Sequence, residues 1–287
     1  MSIFWLKMKG NNRSSLTGKP KIYIGTSGWA YGHWQHVFYP ADLPAKERLG
    51  YYARHFQTVE LNYSFYHLPR PSTYLKWYQE TPPGFIFAVK ASRFITHVKR
   101  LKEVRGAWVK FSENALHLKE KLGPVLFQFP PGFRFGEEEF SLLREFLAFI
   151  NSFSPVLNLP SGELPSLRFA FEFRHKSWDN PLVYELLKKY NTAWVIADSS
   201  RYPKVKTVTG SIVYIRMHGP EVMFGSKYSG EELEELAREI KNWQSAGLDV
   251  YVYFNNDFQG YAVENARELI SLLSNQISEP GSNAFGK

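Results

Sequence analysis

The stretch Tyr214-Ile215-Arg216-Met217-His218 is an apolar run that ends in two polar side chains spaced two residues apart. A β-strand directs residues i and i+2 to the same face, so Arg216 and His218 are expected to point the same way. Three further runs end in the same manner: Val59-Glu60-Leu61-Asn62, Phe171-Glu172-Phe173-Arg174 and Phe254-Asn255-Asn256-Asp257. Four shorter runs lead to Ser27, Lys90, Gln128 and Asp198. Eight apolar strands with polar groups at their C-terminal ends are typical of a (β/α)₈ barrel, which builds its active site there.

Strand and helix patterns alternate along almost the whole chain, which indicates βαβ units in one parallel sheet. The predicted strands cover residues 21–26, 57–62, 85–90, 124–129, 168–173, 193–198, 211–217 and 249–255. Amphipathic helices are predicted at 43–56, 72–80, 113–122, 137–152, 181–190, 230–246 and 262–275. Residues 199–210 have no helical period, so the helix after the sixth strand is predicted to be missing or reduced.

An open, doubly wound sheet is the alternative architecture. That fold would normally carry a Gly-rich nucleotide-binding loop after an early strand. The segment Gly25-Thr26-Ser27-Gly28-Trp29 does not fit this fingerprint, because a Trp follows and no helix begins promptly. The sequence therefore predicts an α/β fold with a single TIM-type barrel.

Composition and length define the expected organisation. The 287 residues are 44% hydrophobic, which is enough to bury a core, and no composition break divides them. We expect one barrel domain over residues 20–275, a disordered basic extension over 1–19 and a flexible tail over 276–287. The chain has no cysteine, which excludes disulfides, thiolate nucleophiles and Cys-ligated metals. No signal peptide and no apolar segment of the ~20 residues needed for a membrane span is found, so a cytoplasmic protein without membrane contact is expected.

The net charge of +8 has two sources, the N-terminal extension and a basic segment over residues 90–110. A basic segment of this kind is compatible with phosphate or nucleic-acid contact. It is equally compatible with a solvated helix face. Both interpretations stay open at this stage.

Eight charged or titratable residues are expected to converge at the barrel mouth: Glu60, Lys90, Glu172, Arg174, Asp198, Arg216, His218 and Asp257. Acids and bases are nearly balanced in this set, which indicates a hydrogen-bonded network. Glu60 and Glu172 are the candidates for proton transfer, for example on a glycosidic bond. Asp257 is a further catalytic candidate, and His218 would serve as acid or base if the substrate carries a phosphate.

The substrate-binding candidates are chosen for their chemistry. Lys90, Arg174 and Arg216 suit anionic oxygen, and arginine grips phosphate with two parallel hydrogen bonds. Polar strand ends supply hydrogen bonds for hydroxyl groups: Asn62, Gln128, Asp198 and Asn255. Aromatic residues on the loops after the strands can stack against sugars or bases: Trp29, Tyr31 and Trp178.

Two other chemistries stay open. Glu172, Asp198, His218 and Asp257 are suitable ligands for a divalent metal, which would support phosphodiester cleavage. No His-Glu-x-x-His signature is present, and the sequence requires no cofactor. Lys90 as a Schiff-base amine is a weaker hypothesis, because adjacent acids are expected to raise its pKa.

Several motifs along the chain are specific enough to compare with those of a known family. The first are Gly25-Thr26-Ser27-Gly28-Trp29, Phe38-Tyr39-Pro40 and Val59-Glu60-Leu61-Asn62 with Phe65-Tyr66. Further along they are Leu126-Phe127-Gln128-Phe129-Pro130-Pro131, Phe171-Glu172-Phe173-Arg174-His175, Tyr214-Ile215-Arg216 with His218-Gly219, and Tyr253-Phe254-Asn255-Asn256-Asp257. Together they resemble the DUF72 (YecE-like) family over roughly residues 21–275. This resemblance implies a TIM-type barrel and carries no catalytic assignment.

The leading hypothesis is a metal-independent, hydrolase-type enzyme whose substrate is a sugar-containing or phosphorylated small molecule. Glu60 and Glu172 would transfer protons while Arg174, Arg216 and Lys90 bind anionic oxygen. The alternatives are the metal-assisted phosphodiester enzyme and a non-catalytic module that binds nucleic acid or another ligand.

Overall fold

Eight parallel strands form the centre of the protein, as a computed structural model shows for residues 20–153 and 166–275. The strands are β1 (Ile22–Thr26), β2 (Thr58–Leu61), β3 (Ile86–Lys90), β4 (Leu122–Gln128), β5 (Phe169–Glu172), β6 (Ala193–Asp198), β7 (Ile212–Met217) and β8 (Asp249–Phe254). Each lies within two residues of its predicted bounds at either end. The expected extension over 1–19 and tail over 276–287 lie outside the described residues.

The strand order is β1-β8-β7-β6-β5-β4-β3-β2. From β2 to β8, each strand is hydrogen-bonded to the next strand along the chain, and β8 is also hydrogen-bonded to β1. β1 and β2 lie side by side at the ends of this order and bring the sheet into a nearly closed barrel. The predicted TIM-type barrel is confirmed.

Helices surround the sheet in the expected βα alternation. They are α1 (Arg48–Ala53), α2 (Tyr63–Tyr66), α3 (Pro71–Gln79), α4 (Arg105–Ala115), α5 (Glu137–Ser152), α6 (Pro181–Lys189), α7 (Gly230–Ser245) and α8 (Tyr261–Asn275). No helix lies between β6 and β7, a segment that the structure describes in full, so the predicted loss of the sixth helix is confirmed. Among the described helices, none combines the length and apolar character needed to cross a membrane.

Two helix predictions were wrong in position or length. The helix predicted at 113–122 is α4, which ends at Ala115 and continues as a 3₁₀ turn over Leu116–Lys121. Its buried face is formed by Trp108, Phe111 and Ala115, so the helical period begins well before the expected start at Ser112. The helix predicted at 43–56 is shorter, because its first turn is a 3₁₀ turn over Ala45–Glu47.

Local signals fix the ends of two other helices. Ser229 forms a capping box with Glu232 at the start of α7. Asn180 accepts a hydrogen bond from the Leu182 amide at the start of α6, where Pro181 is the first helical residue. After α7, Gly247 adopts φ +87°, a left-handed conformation that glycine takes without steric cost.

The two faces of each strand have different surroundings. Outward side chains pack against the helices in a large apolar core. Inward side chains fill the barrel with a second apolar cluster that includes Tyr23, Ala88, Leu126, Tyr214 and Tyr251. One layer above it, the inward positions of the same strands are polar, and this layer is the floor of the mouth.

Candidate functional site

A buried ion cluster around Arg216 forms the floor of the barrel mouth. Arg216 is 1% exposed and lies on β7 between two glutamates. Its Nη2 and Nε atoms donate to Glu60 Oε1 at 2.8 Å and Oε2 at 2.9 Å, and its Nη1 donates to Glu172 Oε2 at 2.6 Å. Glu60 comes from β2 and Glu172 from β5, so one guanidinium joins three strands across the barrel.

Both glutamates are charged and fully hydrogen-bonded. Burial alone would raise the pKa of Glu60, but the charge and hydrogen bonds of Arg216 outweigh it and lower that pKa. Glu172 shows the same opposition, and Arg216 and Arg174 hold its pKa well below the ordinary range. Glu60 also accepts hydrogen bonds from the Ser27 hydroxyl and the Tyr214 hydroxyl, each at 2.8 Å. Neither carboxylate has the near-neutral pKa that proton transfer at neutral pH favours.

One edge of the Arg174 guanidinium has no hydrogen-bond partner among the described residues. Its Nε donates to Glu172 Oε1 at 2.7 Å, and its Nη1 lies 3.4 Å from the Tyr202 hydroxyl. The guanidinium also stacks over the Tyr202 ring, 4.4 Å from the centroid. Within residues 20–153 and 166–275, Nη2 has no hydrogen-bond acceptor. Because Arg174 borders the mouth cavity, this edge is available to an anionic ligand.

His218 is a neutral member of the buried cluster. Its Nε2 lies 3.4 Å from Arg216 Nη1, and its Nδ1 lies 3.2 Å from the side-chain amide of Asn255. A guanidinium only donates, so Nε2 is the acceptor in the contact with Arg216. Burial and the charge of Arg216 lower the pKa of His218 to about 3. The general-acid role considered from the sequence therefore has no protonated imidazole at neutral pH to support it.

Above the cluster lies an open cavity of about 600 Å³. Its walls come from the loops after six strands and carry four basic side chains but one acidic one. The lining residues are Tyr31, Asn62, Phe65, Tyr66, Lys90, Arg93, His97, Gln128, Arg174, Arg216, Phe224, Asn255 and Asp257. A cavity of this size, with mixed aromatic and polar walls, is typical of a small-molecule site.

Lys90 projects into this cavity from the end of β3. It is 8% exposed, and its Nζ lies 4.1 Å from the centre of the Phe65 ring. Burial and the charge of Arg216 lower the pKa of Lys90 to about 7, although Glu172 and Glu60 act in the opposite direction. The acids do act to raise this pKa, as expected, but burial and Arg216 outweigh them, so the net change is a lowering. The ring face favours the charged amine by only about 0.5–2 kcal/mol, which does not reverse the change.

A π-helical turn over Phe94–Val98 supplies another wall of the cavity. Such turns occur often at functional sites. The turn places His97 beside Gln128, with the His97 Nε2 and Gln128 Nε2 atoms 3.5 Å apart. Burial and nearby Lys90 lower the pKa of His97 to about 4, so this ring is also neutral at neutral pH. Arg93 precedes the turn and is exposed at the rim.

Asp257 is the acidic residue in the cavity wall, and its environment differs from that of the two glutamates. It accepts a hydrogen bond from Trp34 Nε1 at 2.6 Å, and its Oδ2 lies 2.9 Å from His33 Nε2. Burial raises the pKa of Asp257 to about 6, while the Trp34 and His33 contacts lower it in part. A carboxyl group with this pKa exchanges protons readily near neutral pH.

Three of the predicted site residues lie away from the cavity and its floor: Asp198, Trp178 and Trp29. Asp198 lies on the outward face of β6, because the inward residues alternate as Ala193, Val195 and Ala197. Its carboxylate contacts Lys204 and the Tyr228 hydroxyl outside the barrel. Trp178 is fully buried and donates to the Phe133 carbonyl oxygen at 2.7 Å.

Trp29 packs against Trp77 and does not line the cavity. Tyr31 does line it, as do Asn62, Gln128 and Asn255. Five lining residues were not among the predicted site residues: Phe65, Tyr66, Arg93, His97 and Phe224. His97 and Phe224 follow no strand directly, so the pattern of strand endings could not find them. Arg93 belonged to the basic segment but had no separate signal.

The basic segment over 90–110 does not form one continuous surface. Lys90 faces the cavity, Lys102 pairs with Glu138 at 2.6 Å, and Arg105 packs over the Phe149 ring. The four proposed metal ligands are also separated, since Asp198 faces the outside of the barrel. Across the described parts of the chain, no group of three or more His, Asp or Glu side chains is arranged to hold a metal ion.

Comparisons with known proteins agree with the fold. A sequence model described as "Protein of unknown function DUF72" matches residues 23–284. The UPF0759 protein YunF of Bacillus subtilis (strain 168) is 30% identical over 288 residues, covering 90% of this chain and 96% of that protein. YecE of Escherichia coli (strain K12) is 31% identical over 126 residues, or 44% of this chain and 43% of that protein. The crystal structure of a DUF72 family protein (TM1631) from Thermotoga maritima MSB8 has a TM-score of 0.74 at 28% identity, covering 88% of this chain and 99% of that one.

Proposed function

This chain belongs to the DUF72 family, and we propose that it is an enzyme whose barrel mouth binds a small anionic molecule, either a phosphorylated or an acidic sugar-like compound. The observation that carries the proposal is the basic wall of the cavity. Four basic side chains border it against one acid, and Arg174 Nη2 donates to no acceptor in the described parts of the chain. Even with Glu60 and Glu172 counted, the basic groups outnumber the acids.

The remaining wall chemistry favours a substrate with hydroxyl groups. Amide side chains of Asn62, Gln128 and Asn255 border the same cavity and can both donate and accept hydrogen bonds. Aromatic rings of Phe65 and Phe224 provide apolar faces on which a sugar ring could stack. Together these groups support a compact ligand that carries one anionic group and several hydroxyls.

Asp257 is the group best suited to transfer a proton. The sequence-based hypothesis gave this role to Glu60 and Glu172, but both have their oxygens occupied by Arg216 and other donors. Asp257 borders the cavity and has a pKa raised by burial to about 6. If the reaction is hydrolysis, Asp257 is the acid or base we propose for it, while the two glutamates hold Arg216 in position.

Ligand-induced stabilisation tests the binding part of the proposal. We expect sugar phosphates and sulfate to raise the melting temperature of the protein, while the corresponding neutral sugars have little effect. A ligand at 100 times its Kd would stabilise the folded state by about 2.7 kcal/mol. Arg174→Gln should remove most of this effect, whereas Arg144→Gln, on the exposed face of α5, should retain it. No stabilisation by any anion would contradict the proposal.

Mass spectrometry of the ligand after incubation tests the catalytic part. We expect the wild-type protein to convert a stabilising ligand, and Asp257→Asn to bind that ligand while converting it at least about a hundredfold more slowly. Asp42→Asn, which changes an exposed acid, is the control. Recovery of every stabilising ligand unchanged would contradict the enzymatic assignment and leave a binding protein.

A further inference from the structure

Lys90 is buried in the cavity wall, and its amine makes no polar contact with the described parts of the chain, whereas Arg174 and Arg216 are both hydrogen-bonded. No carboxylate of the described residues lies within 4.0 Å of the Lys90 Nζ, which lies 4.1 Å from the centre of the Phe65 ring. The other buried lysine, Lys121, differs in this respect. Its Nζ donates to the Tyr78 and Thr81 carbonyl oxygens, each at 2.6 Å. A buried amine that faces a cavity and has no hydrogen-bond acceptor does not stabilise the fold, which indicates a chemical role for it.

We propose that the Lys90 amine forms an imine with the carbonyl carbon of an anionic aldehyde or ketone bound in the mouth cavity. This inference rests on the proposed function, because it uses the same cavity and the same anion-binding side chains. It goes further by naming the reacting group on the protein and the reacting group on the substrate. α-Keto acids and ketose phosphates are the compounds that combine the two required features.

The geometry meets the requirements for a nucleophilic amine. Lys90 is the C-terminal residue of β3. Its side chain is 8% exposed and borders the mouth cavity. Strand-borne groups hold such a side chain in a fixed direction, which favours reaction at one carbonyl position. Phe65 covers one side of the amine with an apolar surface.

The charges around Lys90 favour the neutral amine that nucleophilic attack needs. Arg216 from β7 and Arg174 from β5 act to lower its pKa, and Glu172 and Glu60 act to raise it. Burial is the largest effect, and the resulting pKa of Lys90 is about 7. Desolvation and a neighbouring cation are the two recognised ways of activating a lysine nucleophile. Both are present here.

The reaction balances without an oxidant or a reductant. The lone pair of Nζ forms a bond to the carbonyl carbon, while the carbonyl π electrons move to oxygen, which takes up a proton. The nitrogen loses a proton to solvent, and the resulting carbinolamine loses its hydroxyl group as water when that group is protonated. The product is a C=N bond between Lys90 and the substrate. Once protonated, the imine can accept electrons from a neighbouring C–C or C–H bond that breaks.

Reductive trapping tests this inference directly. The protein is incubated at pH 7 with pyruvate or with dihydroxyacetone phosphate in the presence of sodium cyanoborohydride, and the modified lysines are located by peptide mass spectrometry. We expect Lys90 to be modified at least about tenfold faster than exposed Lys110, because a larger share of its amine is neutral. Sulfate should slow the modification of Lys90 and leave that of Lys110 unchanged.

Variants and a binding control separate the possible failures. Lys90→Met should remove the fast modification, while Lys110→Met should retain it. Modification of Lys90 at or below the rate of Lys110 in the wild-type protein would overturn the inference, and this result does not depend on whether any variant folds. If sulfate still stabilises the protein through Arg174 in that case, the proposed anion site stands and the imine alone is rejected. If sulfate has no effect either, both proposals fail.

Discussion

Arg216 is the residue on which the candidate site depends most. It is buried with Glu60 and Glu172. Without it, Glu60 would have no ion-pair partner among the described residues, and Glu172 would keep only Arg174. Removing one partner of a buried ionic group typically costs about 3–5 kcal/mol. We therefore expect Arg216→Met to lower the free energy of unfolding by about that amount in urea denaturation at pH 7.5.

Arg168→Met is the matched control for this variant. Arg168 pairs with Asp249 at 3.0 Å at the opposite end of the barrel, where both side chains are partly exposed. Partly exposed pairs contribute about 0–1 kcal/mol. An Arg216→Met variant that loses no more stability than Arg168→Met would contradict the buried network.

The contribution of Glu60 and Glu172 to the pH dependence of stability should have opposite signs in the wild-type protein and in Arg216→Met. In the wild-type protein the pKa values of Glu60 and Glu172 are lowered, so their contribution is present above the unfolded pKa of about 4.3 and is lost as the pH falls below it. In Arg216→Met the largest opposition to burial is removed from both carboxyls. Arg174 still pairs with Glu172, so Glu60 is the carboxyl that favours protonation most. We expect urea unfolding to show that the variant is more stable at pH 5 than at pH 7.5, whereas these two groups give the wild type no such gain. Equal behaviour of the two proteins would contradict the charge assignment.

Asp257 should make anion binding depend on pH. Its pKa is raised by burial to about 6, so acidification from pH 7.5 to pH 5 removes a negative charge from the cavity wall. Two like charges about 4 Å apart in water repel each other by about 1 kcal/mol, so the loss of the Asp257 charge favours a nearby bound anion by about that amount. We expect calorimetry to show a severalfold lower Kd for sulfate at pH 5 than at pH 7.5. In Asp257→Asn the change of Kd near pH 6 should be lost, while a change near pH 7, from protonation of Lys90, should remain. An unchanged pH profile in the variant would contradict this role.

At the scale of elements, the junction between β1 and β2 is closed by a side chain from α1. The Tyr52 hydroxyl accepts a hydrogen bond from the Thr26 amide at 3.0 Å and donates one to the Thr58 carbonyl oxygen at 3.0 Å. Gly25 lies where a Cβ would be 2.2 Å from the same carbonyl oxygen, so a larger residue cannot fit between the two strands. The Tyr52 hydroxyl therefore bridges the two strands, in addition to the Ser27–Glu60 hydrogen bond.

Tyr52→Phe should therefore weaken the closed barrel. The substitution leaves the buried Thr26 amide and Thr58 carbonyl without their partner, and an unsatisfied buried group costs about 1–3 kcal/mol. We expect a loss of this size in urea unfolding, with Thr26 showing faster amide hydrogen exchange. Tyr63→Phe removes an exposed hydroxyl and should change stability by less than about 0.5 kcal/mol. Equal stability of the two variants would show that β1 and β2 are held together by other contacts.

Element prediction from the sequence worked where the hydrophobic pattern had one solution. The strand bounds were close because parallel strands buried on both faces appear as short apolar runs with clear ends. The strict alternation of inward and outward residues was not applied to β6, and Asp198 was therefore assigned to the wrong face. The start of α4 was missed because its first turn has no side-chain cap to mark it.

At the scale of the whole molecule, the sequence predicted where the site lies better than how its charges divide. Glu60, Glu172 and Arg216 were expected at the mouth because each ends a strand. Their pairing depends on which strands face each other across the barrel, and single-strand patterns contain no such information. The pKa of Lys90 depends on the same arrangement, because burial and Arg216 lower it by more than Glu172 and Glu60 raise it. The pKa of Asp257 depends on its own burial and on the contacts with Trp34 and His33.

The central claim is that the barrel mouth binds an anion through its basic wall, and anomalous diffraction from selenate-soaked crystals tests it most directly. Selenate has the charge and shape of sulfate, and its position can be located from the selenium signal alone. We expect an anomalous peak inside the mouth cavity within hydrogen-bonding distance of the Arg174 guanidinium edge, and its loss in Arg174→Gln. A mouth without selenate in crystals that bind it elsewhere would contradict the account.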